Sequence, residues 1–448
     1  MDTVPRFRIG FTLLLASSFV FGAFNSSKAQ ETIPTQEEKL DFTIQLRPRA
    51  EFRNGLFTPI LENQTAAGFV AQRSRLGLKY AKGTKVSVGL QLQMVNTWGN
   101  EPQVQATGNS VSLFQAWVQF QLMPHLDLKL GRQVLSYDDE RILGELDWNN
   151  AGRKHDAALL RYNKGKFRTD FAVAYNQNFE RVTNDFYNDA VSQPYKSMEM
   201  LWLHYQATKA LSLSALVMNI AKQSSVDSEM SHLQTYGFNA FFKQKKFDFN
   251  LSSYCQTGQT NFKAIASQKT TAWMASLYGN YYFNKKFSMG LGSDYLSGQD
   301  MGSTSTNNTV FNPLYGTHHK FYGAMDYFYV SSPHKNVGLW DSYISASYKA
   351  TSSFSTNLTF HHFQAPNKIL DYSGNTADAT LGEELDLSLQ YQLKSGIKVT
   401  GGYSQMFASE SMKYVKSILP TQTMNSIQNW AWLSINFNPD ILIFKRSN

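Results

Sequence analysis

The sequence predicts an all-β fold: a transmembrane antiparallel β-barrel of about eighteen strands, with short periplasmic turns and long extracellular loops. Three observations carry that prediction. Segments of alternating polarity follow one another along nearly the whole chain. The connectors between them are short on one side and long on the other. Past residue 25 no run of about 18 apolar residues occurs, so no helix of the sequence spans a membrane. Composition agrees: of 448 residues 42% are hydrophobic, yet mean hydropathy is only −0.36, as expected of strands that alternate. Charged residues at 17% and aromatics at 14% exclude a disordered or coiled-coil chain. The single Cys255 excludes a disulfide framework and a multi-cysteine zinc site.

The elements follow in order. Arg6 and Arg8 precede the apolar stretch Ile9–Phe24, and small residues at Ser27 and Ala29 suit cleavage before Gln30, so 1–29 reads as a signal peptide and the protein as exported. Residues 30–39 read as a short periplasmic segment and 40–438 as the barrel. In 42–53, Phe42, Ile44, Leu46, Ala50 and Phe52 oppose Thr43, Gln45, Arg47, Arg49, Glu51 and Arg53. In 384–393, Leu385, Leu387, Leu389, Tyr391 and Leu393 oppose Glu384, Asp386, Ser388, Gln390 and Gln392. One face suits lipid and the other water. Polar tight turns recur at 80–83, 163–166, 208–211, 243–246 and 284–286. Between them lie longer connectors at 55–66, 99–109, 138–153, 180–196, 222–231 and 261–268. Aromatics gather beside the turns (Tyr80, Phe120, Tyr162, Tyr205, Phe242, Tyr281, Tyr282), as in the girdle of a membrane barrel. A further β-like segment, 320–330, breaks the alternation of short and long connectors if it crosses the membrane. Treating 300–337 as one long extracellular loop restores the alternation and an even strand count. Residues 439–448 read as a C-terminal tail.

A barrel of this size is expected to hold an aqueous channel, whose selectivity depends on the charges that line it. Alternation turns Arg47, Arg49, Arg53, Arg73, Arg75, Arg161, Arg168, Lys349 and Lys398 inward, together with the fewer acids Glu51, Asp170, Asp341, Glu384 and Asp386. Arg47, Arg49 and Arg53 with Arg73 and Arg75 form a basic ladder on neighbouring strands. Guanidinium forks suit carboxylates, so the ladder reads as an anion path; the other reading is that it pairs with inward acids and braces the wall. Much of the net charge of +8 sits in the turns, where it only solvates a face. The adjacent pairs His318-His319 and His361-His362 diverge on a strand and make no metal site. Asp138-Asp139-Glu140 reads as a solvated acidic loop. No GxSxG, HExxH or Walker loop occurs, so neither a catalytic centre nor a cofactor is expected.

One stretch is specific enough to carry a resemblance. Gly131-Arg132-Gln133, Leu135-Ser136-Tyr137-Asp138-Asp139-Glu140-Arg141, Leu143-Gly144, Trp148 and Gly152-Arg153 with Asp156 resemble the alginate-export porin family, in the branch found in Bacteroidetes-type bacteria. His319–Gly323 with Met325-Asp326-Tyr327, Leu381–Asp386 and Gly402–Phe407 echo it further. The resemblance implies a monomeric eighteen-stranded barrel in the outer membrane of a Gram-negative bacterium. Its pore would be arginine-rich and would pass anionic poly- or oligosaccharides or other small anions; its partners would be outer-membrane lipids and the barrel-insertion machinery, with no nucleic acid. The signature residues carried over are Arg132, Tyr137, Asp138, Asp139, Arg141, Trp148, Arg153 and Asp156. Parity puts Arg132 on the lipid face, so either a bulge near Gly131 turns it inward, the preferred expectation because glycine permits one, or it lies above the membrane at the base of the loop. No short-side turn is long enough to plug the pore, which leaves any gating to the outer loops, chiefly 300–337. The reading from another class is an adhesion or assembly barrel with a closed lumen and partner-binding loops.

Overall fold

The computed structural model describes residues 37–104, 111–183, 187, 195–223, 230–260, 268–328, 334–425 and 427–447. The first half of the wall is β1 (Glu37–Asn54), β2 (Ala67–Lys82), β3 (Val86–Thr97), β4 (Ser112–Met123), β5 (Leu126–Gln133), β6 (His155–Lys164), β7 (Phe167–Tyr175), β8 (Ser197–Gln206) and β9 (Leu211–Gln223). The second half begins with β10 (Met230–Lys243), β11 (Phe247–Thr260), β12 (Gln268–Tyr282) and β13 (Phe287–Leu296). A two-residue β14 (Asn307–Asn308) lies in the loop that follows. The wall resumes with β15 (Leu339–Lys349), β16 (Phe354–Gln364), β17 (Thr380–Lys394), β18 (Ile397–Ala408) and β19 (Gln428–Phe437), which β20 (Asp440–Ser447) prolongs. Each wall strand pairs antiparallel with the next, β13 pairs with β15, and β19 returns to β1. The result is a closed barrel of 18 strands.

Closure corrects the reading of both chain ends. Leu46 faces Phe437 and Thr43 faces Asp440, so the offset between the two strands is unchanged across Asn438-Pro439. Pro439 lacks an N–H and interrupts the ladder without shifting it. The segment expected to trail as a tail is therefore barrel wall as far as Ser447, and β1 begins at Glu37 rather than 40. Without β20, residues Glu37–Thr43 would present unpaired N–H and C=O groups along an edge, which a barrel cannot leave open in lipid.

The outer face follows the predicted alternation. Leu385, Leu387, Leu389, Tyr391 and Leu393 of β17 are all exposed on the outside, where the bilayer covers them. Phe167, Tyr205, Phe247, Tyr281 and Tyr348 stand exposed beside the short turns as one aromatic girdle. Tyr282 is not part of it. It faces the lumen and donates to Asp248 at 2.6 Å.

The inside departs from the predicted open water channel. Residues 134–154, between β5 and β6, and the described residues 297–328 and 334–338, between β13 and β15, fold into the lumen and pack against each other and the wall. Leu143 bridges to Tyr315, and Thr317 N–H donates to the Glu140 carbonyl at 2.8 Å. A short helix α1 (Glu410–Val415) adds Met412 and Val415 to the same apolar cluster. The wall meets the loops with Met198, Met200, Leu216, Met218, Ile220 and Met274, all buried on the inward face. Each such side chain contributes about 2 kcal/mol by leaving water, which offsets the cost of ordering long loops. Short runs apolar on both faces, such as Met200–Leu203 and Ala215–Met218, are the sequence signal for a packed interior.

Candidate functional site: a strapped lumen

The residues 134–154 cross the lumen as a strap that carries carboxylates to opposite walls, Asp147 at one end and Asp138 and Asp139 at the other. On the β1–β2 wall, Asp147 accepts from Arg73 at 2.7 Å and Arg47 at 3.1 Å, with Arg75 at 4.0 Å. Arg47 also donates to the Asp147 carbonyl at 2.7 Å and to Asn150 at 2.9 Å. Arg49 lies 3.8 Å over the Trp148 ring and donates to the Trp148 carbonyl at 2.7 Å. Arg49 and Arg53 both hold Glu51, at 2.8 and 2.9 Å, and Arg75 stacks on Phe114 at 3.6 Å. The ladder is therefore assembled as predicted on neighbouring strands, but it does not present free charge to water. Arg73 is 0% exposed, and Arg47, Arg49 and Arg75 are buried as well. Burial alone would raise the Asp147 carboxyl; Arg73 and Arg47 outweigh it and hold it below the ordinary carboxylate value.

The other end of the strap reaches the far wall. Asp138 accepts from the indole N–H of Trp202 at 3.1 Å, from Ser214 at 2.5 Å and from Asn239 at 3.1 Å. Burial pushes its carboxyl up to about 6 despite those donors. Asp139 accepts from Ser252 and from Arg141, both at 2.9 Å. Arg141, 3% exposed, then reaches Asp294 at 2.9 Å, Ser276 at 2.8 Å and the Tyr322 hydroxyl at 3.2 Å. The acidic run is thus not a solvated loop; wall donors take the place of water. Tyr137 donates to Asp170 at 3.0 Å. Trp148 stacks on His319 at 4.3 Å and meets Trp430 and Trp432 edge-on.

The second loop is clamped on β17. Glu384 accepts from the Met325 N–H at 2.8 Å and Asp386 from the Ala324 N–H at 3.1 Å. Gly323 has φ +83°, and a Cβ there would stand 2.8 Å from the Glu384 carboxylate, so glycine is required for the loop to come this close. Tyr327 donates to the Gly55 carbonyl and to Gln428, and Lys416 donates to the carbonyls of Phe57 and Tyr327. His319 bonds Asp326 at 2.8 Å, and the other adjacent histidines also diverge: His361 to Asp341, His362 to Glu383.

This strap is the signature stretch, and the model of the family described as "Alginate export" matches residues 38–415. The chain belongs to that family. No curated protein matches it. Among solved structures, the outer membrane protein OpdK of Pseudomonas aeruginosa is similar at 11% identity and TM-score 0.59, over 90% of this chain and 99% of that one. OccK9 (OpdG) of the same organism aligns at 12% identity and TM-score 0.60, over 90% and 98%. OccAB4 of Acinetobacter baumannii aligns at 11% and 0.60, over 91% and 99%. At these identities the likeness shows the fold. Together they place this alginate export family barrel in the outer membrane of a Gram-negative bacterium, among channel proteins.

The remaining family residues sit elsewhere. Arg132 is not turned inward. Its partner across the ladder is Asp156, on the outward face, and the two form a bidentate pair at 2.9 and 2.8 Å. Gly131 does take φ +115°, but the register of β4 and β5 runs through it unshifted, so no bulge flips the side chain. Arg153 donates to the Gly316 carbonyl at 2.7 Å and so ties strap to second loop. Arg161 and Arg168 share Asp170, and about a third of each side chain is exposed to the lumen. Lys349 and Lys398 line the periplasmic half without a carboxylate partner among the described residues. Lys129, passed over in the sequence, holds its ammonium 4.0 Å over Trp117 near Lys79 and Arg161. Its inward parity on β5 was the available signal.

Proposed function

We propose that this chain is an outer-membrane channel that passes anionic oligo- or polysaccharide through its periplasmic-side chamber, past a strap and loop that narrow the outer half. The observation that carries the reading is an asymmetry of exposure. Of the inward acids, Glu51, Asp170, Asp341 and Glu384 are 5% exposed or less, spent on arginines, a histidine or loop N–H groups. Lys79, Lys129, Lys349 and Lys398, with Arg161 and Arg168 about a third exposed, face the lumen. Asp41, Asp127, Asp248 and Asp386 are only partly buried, so anions entering from the periplasm meet a lining in which these cations outnumber the accessible acids. The aqueous lining, not the ladder, sets selectivity in this reading.

The test is the reversal potential of the folded protein in a planar bilayer under a salt gradient, with and without added polyuronate. Anion-selective current that polyuronate blocks supports the reading. Cation-selective current indifferent to polyuronate overturns it. The second reading, a closed adhesion barrel, is favoured by the apolar cluster that the two loops bury inside the lumen; it requires no current at all from the folded barrel.

A further inference from the structure

On the wall from β10 to β17, three cavities of about 510, 480 and 380 Å³ share lining residues and so form one groove from the underside of the strap to the periplasmic mouth. Tyr278 lines two of them, as do Asn250 and Asn357. The lining is mostly amide, hydroxyl and aromatic. Its upper cavity has a floor made by a repeated device. Tyr278 and Tyr343 lie on inward positions over glycines: an ideal Cβ at Gly290 would fall 2.3 Å from the Tyr278 hydroxyl, and one at Gly292 would fall 2.2 Å from the Tyr343 ring. With no Cβ in the way, both rings lie flat on the wall with their faces toward the lumen. Their centroids are 6.0 Å apart and their planes differ by 19°, so they make one nearly coplanar platform.

A flat aromatic platform with amides at its rim is the surface that sugar rings prefer: axial C–H groups meet the π face while ring hydroxyls exchange hydrogen bonds with Asn250 and Asn357. The charges at the upper cavity select further. Asp294 and Asp341 are buried in pairs with Arg141 and His361, whereas Lys320, 3.8 Å from Glu140 and donating to the Asp139 carbonyl at 3.1 Å, keeps a side chain that is 51% exposed. We infer that Tyr278 and Tyr343 form a saccharide-stacking subsite for a uronate-containing oligosaccharide, with Lys320 receiving a sugar carboxylate. This deepens the channel reading above and rests on it for direction, because it names the side chains that hold the saccharide on its way. The groove's length, continuous through three cavities, fits an oligomer better than a single small carboxylate.

The experiment is calorimetric titration of the folded barrel in detergent with tetragalacturonate, with its neutral methyl ester, and with benzoate. Stacking predicts that both glycans bind, the acid form more tightly at low salt, and that benzoate does not bind. Tyr278→Leu and Tyr343→Leu should each weaken both glycans about threefold to tenfold, while Tyr343→Phe, which keeps the ring, leaves affinity unchanged. Lys320→Gln should weaken the acid form alone. No binding of either glycan, or equal affinity in the wild type and both leucine variants, overturns the subsite. Because this readout needs no current, failure here with anion-selective conduction intact removes only the subsite, and binding without conduction removes only the channel.

Discussion

Arg73 decides between the two roles open to the ladder, and its environment settles them in favour of bracing. A fully buried guanidinium with a single carboxylate partner is worth keeping only while that partner stays, because an unpaired buried charge costs several kcal/mol. Arg73→Ala should therefore release the strap by about 3 kcal/mol, read as higher and noisier single-channel conductance with little change in ion selectivity. Asp138 makes the strap pH-sensitive. Its folded value of about 6 lies above the ordinary carboxylate value, so its contribution is full below the unfolded value and is lost as pH rises through about 6. Asp147 works the other way: held low, it contributes above the unfolded value and is lost as pH falls through its own. Docking should be tightest near about pH 4, where Asp138 contributes in full and Asp147 has not yet lost its contribution, and should weaken as pH rises from there to about 6. Protection factors for amide exchange across 134–154, taken relative to the intrinsic rate at each pH, should rise from pH 7.5 to pH 5 in the wild type, and Asp138→Asn should flatten that trend.

The membrane strands were readable from a period of two, because lipid on one face and a polar lumen on the other impose it on every residue. Alternation also placed Arg47, Arg49, Arg73 and Arg75 inward. The long connectors carry no period, so nothing in the order of Asp138, Asp139, Arg141 and Asp147 told that they reach across the lumen to Asn239, Ser252, Asp294 and Arg73. Arg132 was misplaced because a glycine with positive φ need not shift register. The second loop depends on a close approach at Gly323 in the same hidden way. Gly323→Ala should push Met325 away from Glu384 and open 297–338 to protease, with conductance rising as in Arg73→Ala; Glu384→Gln, which keeps one acceptor, should do so more weakly.

At the scale of the whole molecule, closure and selectivity are separate matters. Closure depends on β20, so deletion of 440–448 should leave Glu37–Thr43 as a bare edge and sharply reduce the heat-modifiable folded form on gels. In the proposed channel, selectivity belongs to the lumen-facing cations that the strap does not hold. The most direct measurement is the reversal potential of two charge-reversal sets compared side by side: Lys129→Glu, Lys349→Glu and Lys398→Glu together, against Arg73→Glu alone. Lumen-facing lysines as the selecting charge predict that the triple variant turns from anion- to cation-selective, while the single variant changes conductance but keeps its anion preference. The reverse pattern, selectivity lost at Arg73 and retained in the triple variant, would contradict the account.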